Sequence, residues 1–329
     1  MTRATVAVLG AGAWGVALAN VAAQGRARVP LWARDPTHAA ALARDRENKR
    51  HLPGLPLAAA VAPTADLSVL SEAEIVLAVT PAQAMRETAR AARPHLRADA
   101  AFVVCAKGIE RDRRKFMSEV AAEELPQAGV AVLSGPGFAD DVCKGLPTAV
   151  TLAAHDEALA RRLCEELSTR TFRLYRSTDV LGVEIGGAAK NVIAIAAGMA
   201  HGAELGASAQ AALIARGFAE VTRLGRALGA RQETLMGLSG LGDLVLTCGS
   251  AQSRNFALGQ ALGQGEAAQD AAHGKLAEGA FTAGVLVEMG HAHGVEMPIA
   301  EAVDAILSGR LSVEAAIDSL LLRPLKAEE

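Results

Sequence analysis

The stretch GAGAWG at residues 10–15 decides the fold, because it joins an apolar segment that ends at Leu9 to a segment with helical character. Its first glycine permits a tight turn, its second lets the main chain approach a pyrophosphate, and its third lets a helix pack closely on a strand. Free N–H groups at the start of the following helix attract phosphate. The stretch therefore predicts a dinucleotide site at Gly10, Gly12 and Gly15. The alternative is a glycine turn with a structural role alone.

Short apolar runs alternate with helical stretches in the first half of the chain, which is typical of a parallel sheet covered on both faces. The predicted strands cover residues 5–9, 28–32, 74–79, 101–105, 130–134, 147–153 and 171–175. Beyond about residue 179 no such run recurs, and the pattern predicts helices at residues 209–228, 251–262, 283–292 and 298–307. We expect an α/β fold: a dinucleotide-binding domain with a Rossmann-type, doubly wound parallel sheet (residues 1–178), followed by an all-α substrate and catalytic domain (residues 179–329).

The composition is that of a globular protein, with 329 residues, 51% hydrophobic residues and a formal net charge of −3. A balance so close to neutral gives no electrostatic basis for binding nucleic acid or a membrane surface, both of which favour a basic face. The uncharged run at residues 4–25 resembles a signal peptide or a membrane span, but glycines divide it into a short strand and a helix. We therefore expect a cytoplasmic protein without a membrane span.

Metal ligation is not expected from the cysteines or the histidines. The four cysteines include no C-x-x-C pair, which argues against a zinc or redox framework and favours reduced thiols. His291 and His293 lie two residues apart, without a nearby cysteine or third histidine. We interpret them as solvated loop residues rather than as metal ligands.

The residues after the second predicted strand bear on the choice of cofactor, because an acidic residue there usually binds the ribose hydroxyls of NAD. Here the strand is followed by Arg34 and then by Asp35. A guanidinium pairs well with the 2′-phosphate of NADP, whereas Asp35 can still bind a hydroxyl. NADP use or dual use is therefore favoured over strict NAD use. The alternative is that both residues only cap the following helix.

Oxidation of a secondary alcohol by a nicotinamide cofactor needs a protein base for the proton. Lys190 is the best candidate, because it is the only formal charge between Glu184 and Glu204. Its small and apolar neighbours predict a buried helix, and burial lowers the pKa of a lysine toward a useful range. Asn191 can hydrogen-bond the same substrate. The alternative is a lysine whose ammonium group reaches the surface.

Three further places carry polar groups suited to a substrate. Lys107 follows a predicted strand at the sheet edge where ligands bind in open α/β folds, although an ordinary loop lysine would look the same. The block Ser253-Arg254-Asn255 supplies one cation and two neutral groups, as a phosphate clamp does, or alternatively a helix cap with solvated side chains. Asp243 lies in an apolar run, so its carboxylate needs a partner such as Lys190 or a substrate hydroxyl.

Taken in order along nearly the whole chain, these motifs resemble the NAD(P)-dependent glycerol-3-phosphate dehydrogenases of the bacterial type. The specific blocks are GGAAKNVIA at residues 186–194 and SRN at residues 253–255. The others are the glycine turn, AKG at 106–108, SGP at 134–136, GLGDL at 240–244 and EG at 278–279. The resemblance implies interconversion of sn-glycerol 3-phosphate and dihydroxyacetone phosphate, which supplies glycerol 3-phosphate for phospholipid synthesis. It also implies a Rossmann domain followed by a helical domain, usually in a homodimer.

The same resemblance assigns roles to individual residues. It implies that Lys190 is the proton acceptor. It implies substrate contacts at Lys107, Gly135, Lys190, Asp243, Ser253, Arg254 and Asn255. It implies cofactor contacts at Trp14, Arg34, Lys107, Ala139, Arg254, Leu276 and Glu278.

Two positions depart from the family pattern. Ala13 stands where serine is usual, which removes one hydroxyl contact to the cofactor. The main-chain N–H group of Ala13 can still bind the cofactor phosphates, so we expect a modest loss. Gly137 stands where serine or threonine is usual, which removes a possible substrate contact.

Two other functions compete with this one. A β-hydroxyacid dehydrogenase would share the glycine turn and a catalytic lysine, but the Ser253-Arg254-Asn255 block favours a phosphate ester over a carboxylate. A non-catalytic redox sensor would bind the nicotinamide nucleotide and regulate a partner. Such a sensor has no need of a buried lysine base or of a second polar cluster, so the dehydrogenase is favoured.

Overall fold

A computed structural model describes residues 3–271 and 277–322 of the chain. The strands are β1 (Val6–Leu9), β2 (Val29–Trp32), β3 (Glu47–Asn48), β4 (Leu52–Pro56), β5 (Val61–Thr64), β6 (Ile75–Ala78), β7 (Ala101–Val104), β8 (Gly129–Ser134), β9 (Thr148–Ala153) and β10 (Phe172–Ser177). The α-helices are α1 (Ala13–Ala22), α2 (Pro36–Asp45), α3 (Met85–Ala92), α4 (Met117–Glu124), α5 (Ala139–Cys143), α6 (Glu157–Leu167), α7 (Val180–Gly202), α8 (Gly206–Leu228), α9 (Gln232–Leu235), α10 (Asp243–Cys248), α11 (Arg254–Gly263), α12 (Ala268–Ala271), α13 (Glu278–Ala292), α14 (Pro298–Leu307) and α15 (Val313–Leu321).

The predicted fold class is confirmed: an eight-stranded sheet with helices on both faces precedes a helical region. The strand order is β10-β9-β8-β7-β6-β1-β2-β5. Every residue of β1 is buried, with Val6 and Val8 packing on one face and Ala7 and Leu9 on the other. This two-sided burial is why the strand has a continuous apolar sequence rather than an alternating one.

The sheet is not parallel throughout, which corrects the expectation from sequence. The six strands from β8 to β5 are parallel, but β9 runs antiparallel to β8, and β10 is parallel to β9. The segment between β8 and β9 contains only the five-residue helix α5, which packs on α1. It therefore lacks the long helical crossover that a parallel connection needs.

Three strands were not predicted, and prolines explain why. β5 contains Pro63 and is an edge strand, where the missing N–H group of proline is tolerated. The hairpin of β3 and β4 carries Pro53, Gly54 and Pro56, which look like a loop in the sequence. Leu52 is the one buried residue of β4 and Val61 the one buried residue of β5, so apolar periodicity could not indicate these strands.

The long helix α7 is the centre of the helical region. Nearly all of its residues up to Ala200 are buried, which confirms the burial predicted for the helix that carries Lys190. Among the described residues α7 is also the one helix long and apolar enough to span a bilayer, and 94% of the relevant window is buried inside the protein. Its apolar character is thus accounted for by the core that surrounds it.

Facing glycines bring α7 and α11 into close contact. A Cβ added at Gly198 would lie 2.1 Å from the main-chain oxygen of Phe256, and one at Gly259 would lie 2.0 Å from that of Ile195. Gly202 and Gly263 repeat the arrangement one helical turn later. Because α7 carries Lys190 and α11 begins at Arg254, this packing fixes the separation between those two side chains.

We predict that Gly198→Val destabilises the protein by about 2 kcal/mol or more, because the added side chain forces two tightly packed backbones apart. The matched change Ala40→Val, on the exposed face of α2, should cost about 0.5 kcal/mol through helix propensity alone. Urea unfolding followed by circular dichroism measures both. Equal unfolding midpoints for the two variants would show that the contact between α7 and α11 tolerates a larger separation.

Candidate active site

The glycine turn after β1 has the shape that a cofactor phosphate needs. Gly10 has a φ of +115°, and a Cβ there would lie 2.5 Å from the main-chain oxygen of Val79. A Cβ at Gly15 would lie 1.8 Å from the oxygen of Gly10, so only glycine lets α1 start this close to β1. A Cβ at Gly12 would meet nothing within 4 Å. That open space lies at the N-terminus of α1, where Ala13 begins the helix without a side-chain cap, and it fits a pyrophosphate.

Trp14 and Ala139 lie beside this turn. The ring of Trp14 is 6.5 Å from that of Phe172, centroid to centroid, and Ala139 begins α5, which packs on α1. A Cβ at Gly137 would lie 3.1 Å from Cη2 of Trp14. The glycine at this position therefore makes room for the tryptophan ring, which gives the departure at residue 137 a packing reason.

The end of β2 presents Arg34 and Asp35 at the surface, and both are exposed. Asp35 caps α2, since its Oδ1 accepts a hydrogen bond from the N–H of Thr37 at 2.9 Å. The capping alternative considered from sequence therefore holds for Asp35. Arg34 takes no part in that cap, and its guanidinium remains available to a 2′-phosphate.

The hairpin of β3 and β4 borders the glycine turn, a neighbour that the sequence did not predict. Buried Asn48 donates from Nδ2 to the oxygen of Ala11 at 2.9 Å, and Nε2 of His38 lies 3.2 Å from the same oxygen. Burial lowers the pKa of His51, and nearby positive charges that include Arg254 lower it further. Arg254, which belongs to α11, therefore lies close enough to act on the hairpin across the cleft.

One buried carboxylate joins two lysines from the two halves of the chain. Asp243 is 1% exposed at the start of α10. Its Oδ1 accepts from Nζ of Lys190 at 2.5 Å, and its Oδ2 accepts from Nζ of Lys107 at 2.7 Å. Lys107 Nζ also donates to the oxygen of Gly135 at 2.8 Å. The partner that the sequence required for Asp243 is therefore present, together with a second one.

Thr247 completes the surroundings of Lys190. Its Oγ1 lies 2.8 Å from Nζ of Lys190, and it donates to the main-chain oxygen of Asp243 at 2.6 Å. Thr247 was not predicted from the sequence, although its spacing of four residues from Asp243 on one helix was a usable signal.

Burial lowers the pKa of Lys190 to about 8. The carboxylate of Asp243 opposes this shift because it favours the ammonium form, whereas the nearby ammonium of Lys107 lowers the pKa further. A lysine with such a pKa exchanges its proton near neutral pH, which is what an acid–base group must do. Desolvation is the dominant cause, so the apolar core around α7 is what sets this property.

Close contacts restrict the backbone at Gly135 and surround the carboxylate of Glu278. Gly135 has a φ of +145°, and a Cβ there would lie 2.8 Å from Cα of Val150, so another residue would be strained. Glu278 accepts from the N–H of Ala82 at 3.1 Å, and burial raises the pKa of its carboxyl group. Leu276, the other cofactor contact implied near Glu278, lies outside the described residues.

The three residues of the Ser253-Arg254-Asn255 block have different contacts. The Oγ of Ser253 accepts from the N–H of Phe256 at 3.2 Å and caps α11. Asn255 is buried and bonds to Asn191, whereas Arg254 is exposed. Of the three, only the guanidinium of Arg254 is directed to solvent, so the phosphate-binding role expected of the block rests mainly on it.

Two models of the same enzyme family, one for its N-terminal part and one for its C-terminal part, match the two halves of the chain. A family model described as the N-terminus of NAD-dependent glycerol-3-phosphate dehydrogenase matches residues 5–160, and the corresponding C-terminus model matches residues 179–318. The chain belongs to the NAD-dependent glycerol-3-phosphate dehydrogenase family. The resemblance noted from the motifs is thereby confirmed.

Individual family members are similar over their full length. A glycerol-3-phosphate dehydrogenase (NAD(P)+) of Bradyrhizobium sp. strain ORS 278 is 60% identical over 325 residues, covering 99% of this chain and 98% of the relative. The crystal structure of glycerol-3-phosphate dehydrogenase from Coxiella burnetii is 38% identical, with a TM-score of 0.93 and coverage of 98% and 100%. A ketopantoate reductase structure from Ralstonia eutropha JMP134 is 18% identical with a TM-score of 0.60, and covers 96% of this chain and 99% of its own. At that identity it shows a shared fold alone.

The low pKa of Lys190 predicts a pH dependence of stability. Its folded-state pKa of about 8 lies below the ordinary 10.5, so the unfolded chain binds more protons between those values. The free energy of unfolding should therefore rise with pH across this window, by at most about 1.4 kcal/mol per pH unit, and Lys190→Met should remove that rise.

Urea unfolding at pH 7.5, 8.5 and 9.5 measures the effect, and the exposed Lys49→Met should keep the parent's pH dependence. Parallel stability curves for the parent and Lys190→Met would mean that Lys190 has the pKa of an ordinary exposed lysine.

Proposed function

We propose that this chain interconverts sn-glycerol 3-phosphate and dihydroxyacetone phosphate with NADP(H) or NAD(H). The observation that carries the proposal is the buried carboxylate of Asp243, which holds Lys190 of the helical half and Lys107 of the sheet half together. Such an arrangement places two cationic hydrogen-bond donors beside the place where the substrate oxygen can gain and lose negative charge. Family membership supports the same reaction.

Within this proposal the two lysines have different tasks. A bound nicotinamide cofactor would supply the hydride chemistry, accepting a hydride from the alcohol carbon or returning one to the ketone. Neutral Lys190 accepts the proton of the substrate hydroxyl during oxidation, and its ammonium returns that proton to the oxygen during reduction. Asp243 orients Nζ of Lys190, and Lys107 donates to the substrate oxygen as its negative charge develops.

Recognition of the phosphate is assigned to the start of α11. Arg254 is the first residue of this ten-residue helix, so its guanidinium adds to the partial positive charge of the helix N-terminus. The cofactor is assigned to the glycine turn, with its pyrophosphate at the N-terminus of α1 and a 2′-phosphate at Arg34. Ser253 contributes by capping α11 and Gly135 by its carbonyl contact with Lys107.

The phosphate assignment predicts strong discrimination between ketones. We expect kcat/KM for dihydroxyacetone phosphate to exceed that for dihydroxyacetone by orders of magnitude, because binding energy from the phosphate is used at the carbonyl. Arg254→Gln should lower kcat/KM for the phosphorylated ketone by roughly 10- to 100-fold, the worth of a charge-assisted contact. The exposed Arg226→Gln on α8 is the control. Comparable kcat/KM values for the two ketones would refute a phosphate-dependent substrate.

The cofactor assignment predicts a selective effect of Arg34→Ala. Loss of a charge-assisted contact to the 2′-phosphate should weaken NADPH binding by about 1.5–3 kcal/mol and leave NADH nearly unchanged. Fluorescence titration of both reduced cofactors measures this directly. An equal loss for both would show that Arg34 does not contact the 2′-phosphate.

In the cell, we infer a cytoplasmic enzyme that supplies glycerol 3-phosphate for phospholipid synthesis, with domains dividing near residues 178 and 179. We also infer a homodimer. Support for a dimer comes from the family resemblance and from apolar residues that are exposed around the start of α8 beside the exposed Ser208: Leu205, Ala207, Ala209, Ala211 and Ala212. Sedimentation velocity tests the dimer, and a monomer at micromolar concentration would contradict it.

A further inference from the structure

One glutamine side chain fastens the segment after Lys107 to the loop that follows β6. Nε2 of Gln83 donates to the main-chain oxygen of Ile109 at 2.8 Å, and Oε1 of Gln83 accepts from the N–H of Arg111 at 3.1 Å. A carboxamide can donate and accept at once, so this one group pairs with the main chain much as a neighbouring strand does. Gln83 lies in the short turn Ala82–Ala84, between β6 and α3.

The opposite side of the same segment is held by the helical half. Ile109 is fully buried and belongs, with Phe116, to the apolar core that surrounds α7. Between these two residues the chain forms a narrow loop, in which the N–H of Glu110 donates to the oxygen of Lys115 at 2.9 Å. The start of this loop is therefore fixed by apolar packing toward α7 and by the amide of Gln83 toward the sheet.

The position of the Lys107 ammonium group depends on this stretch of main chain. Its Nζ donates to Oδ2 of Asp243 at 2.7 Å and to the oxygen of Gly135 at 2.8 Å. A lysine reaches such partners through a flexible four-carbon stem, so its ammonium group is well placed only if the main chain at its base is fixed. In an active site, a displacement of about 1 Å can lower the rate by about 10²-fold.

The turn that carries Gln83 also borders the residue to which the cofactor is assigned. The N–H of Ala82 donates to Oε1 of Glu278 at 3.1 Å. A Cβ at Gly108 would lie 2.7 Å from Cβ of Ala82, so the turn and the Lys107 segment are in direct contact. Gln83 therefore fixes the Lys107 segment at the side of the cleft where the cofactor is expected.

The contacts of Gln83 differ in kind from those of the neighbouring Arg86. Arg86 binds the carboxylate of Glu110 through Nε at 2.6 Å and Nη2 at 2.9 Å, so it fixes a side chain of the loop. Gln83 binds the main chain on either side of Glu110. Both of these bonds end at residues without an assigned role in the reaction, which makes Gln83 a positioning residue.

We propose that Gln83 is a positioning residue for the reaction: its side-chain amide fixes the main chain at residues 109–111 and so holds Nζ of Lys107 between Asp243 and Gly135. This inference rests on the proposed function, since it assumes that Lys107 stabilises the negative charge that develops on the substrate oxygen. Without the amide, Lys107 spends less time in the productive position, and kcat/KM falls. Because Gln83 acts through Lys107, its contribution disappears when Lys107 is replaced.

A double-substitution cycle tests this dependence. Gln83→Met keeps the length of the side chain but removes both hydrogen bonds, and it should lower kcat/KM for dihydroxyacetone phosphate by roughly 10-fold. In a Lys107→Met background the same change should alter kcat/KM by less than about twofold. Gln232→Met, at an exposed glutamine on α9, is the matched control and should leave kcat/KM unchanged in both backgrounds. Circular dichroism checks that every variant is folded.

A second measurement needs no turnover. Acetylation of the free protein by a water-soluble acylating ester, followed by peptide mass spectrometry, reports how accessible each lysine amine is. The side chain of Lys107 is 18% exposed in its ion pair. Gln83→Met should raise the labelling rate of Lys107 about threefold or more, the shift expected from the loss of one ordinary hydrogen bond. Lys49, whose side chain is 67% exposed, should be labelled at the parent's rate in both proteins.

Three results would overturn the proposal. A loss of activity that persists in the Lys107→Met background would show that Gln83 supports the fold in general. Parent-like kcat/KM for Gln83→Met would show that the amide is dispensable, and an unchanged labelling rate would show that it does not hold Lys107. If Lys107→Met is too slow to assay, the labelling rates decide alone.

The same experiments distinguish failure of this proposal from failure of the proposed function. A folded parent that does not turn over dihydroxyacetone phosphate refutes the proposed function itself. Turnover by the parent together with any of the three contrary results refutes the role of Gln83 alone.

Discussion

The contact on which the rest of the site depends is the double ion pair at Asp243. A carboxylate this deeply buried is costly unless it is paired, and here both of its oxygens are paired with ammonium groups. The two lysines come from opposite sides of the cleft, so the ion pair also sets how closely the sheet and the helical region approach. Removing either lysine would leave one oxygen of this buried carboxylate without its ammonium partner.

The packing of α7 creates the conditions for that chemistry. Facing glycines let α11 approach α7 to backbone contact, and the resulting apolar core desolvates Lys190. Desolvation opposes the ammonium form while Asp243 favours it, and the balance leaves a pKa of about 8. A lysine held in this way reduces stability most below pH 8 and progressively less up to the ordinary lysine pKa of 10.5, and it supplies a proton exchange that an exposed lysine could not supply. Function and local instability thus have the same physical origin.

Much of this arrangement could be predicted from sequence, because it depends on local patterns. The glycine turn, the strands of continuous apolar residues and the isolated Lys190 each point to one structural environment. Local patterns did not indicate three features: the antiparallel direction of β9, the edge strand β5 and the β3–β4 hairpin. The direction of β9 depends on tertiary contacts, and prolines obscure the other two. The amide contacts of Asn191 and Asn255 join residues far apart in the chain, and no spacing rule indicates such a pairing.

The central claim is that Lys190 is the acid–base group, and its most direct test is kcat for Lys190→Ala and Lys190→Arg. The account predicts a fall in kcat of roughly 10²–10⁴-fold for Lys190→Ala, the usual worth of a positioned acid or base. Lys190→Arg should not restore activity, because a guanidinium does not lose its proton near neutral pH. NADPH binding by fluorescence titration should stay close to that of the parent, since the glycine turn is in the other half of the chain. If Lys190→Ala retains a third or more of the parent's kcat with intact substrate affinity, Lys190 is structural, and Lys107 becomes the leading candidate for the proton acceptor.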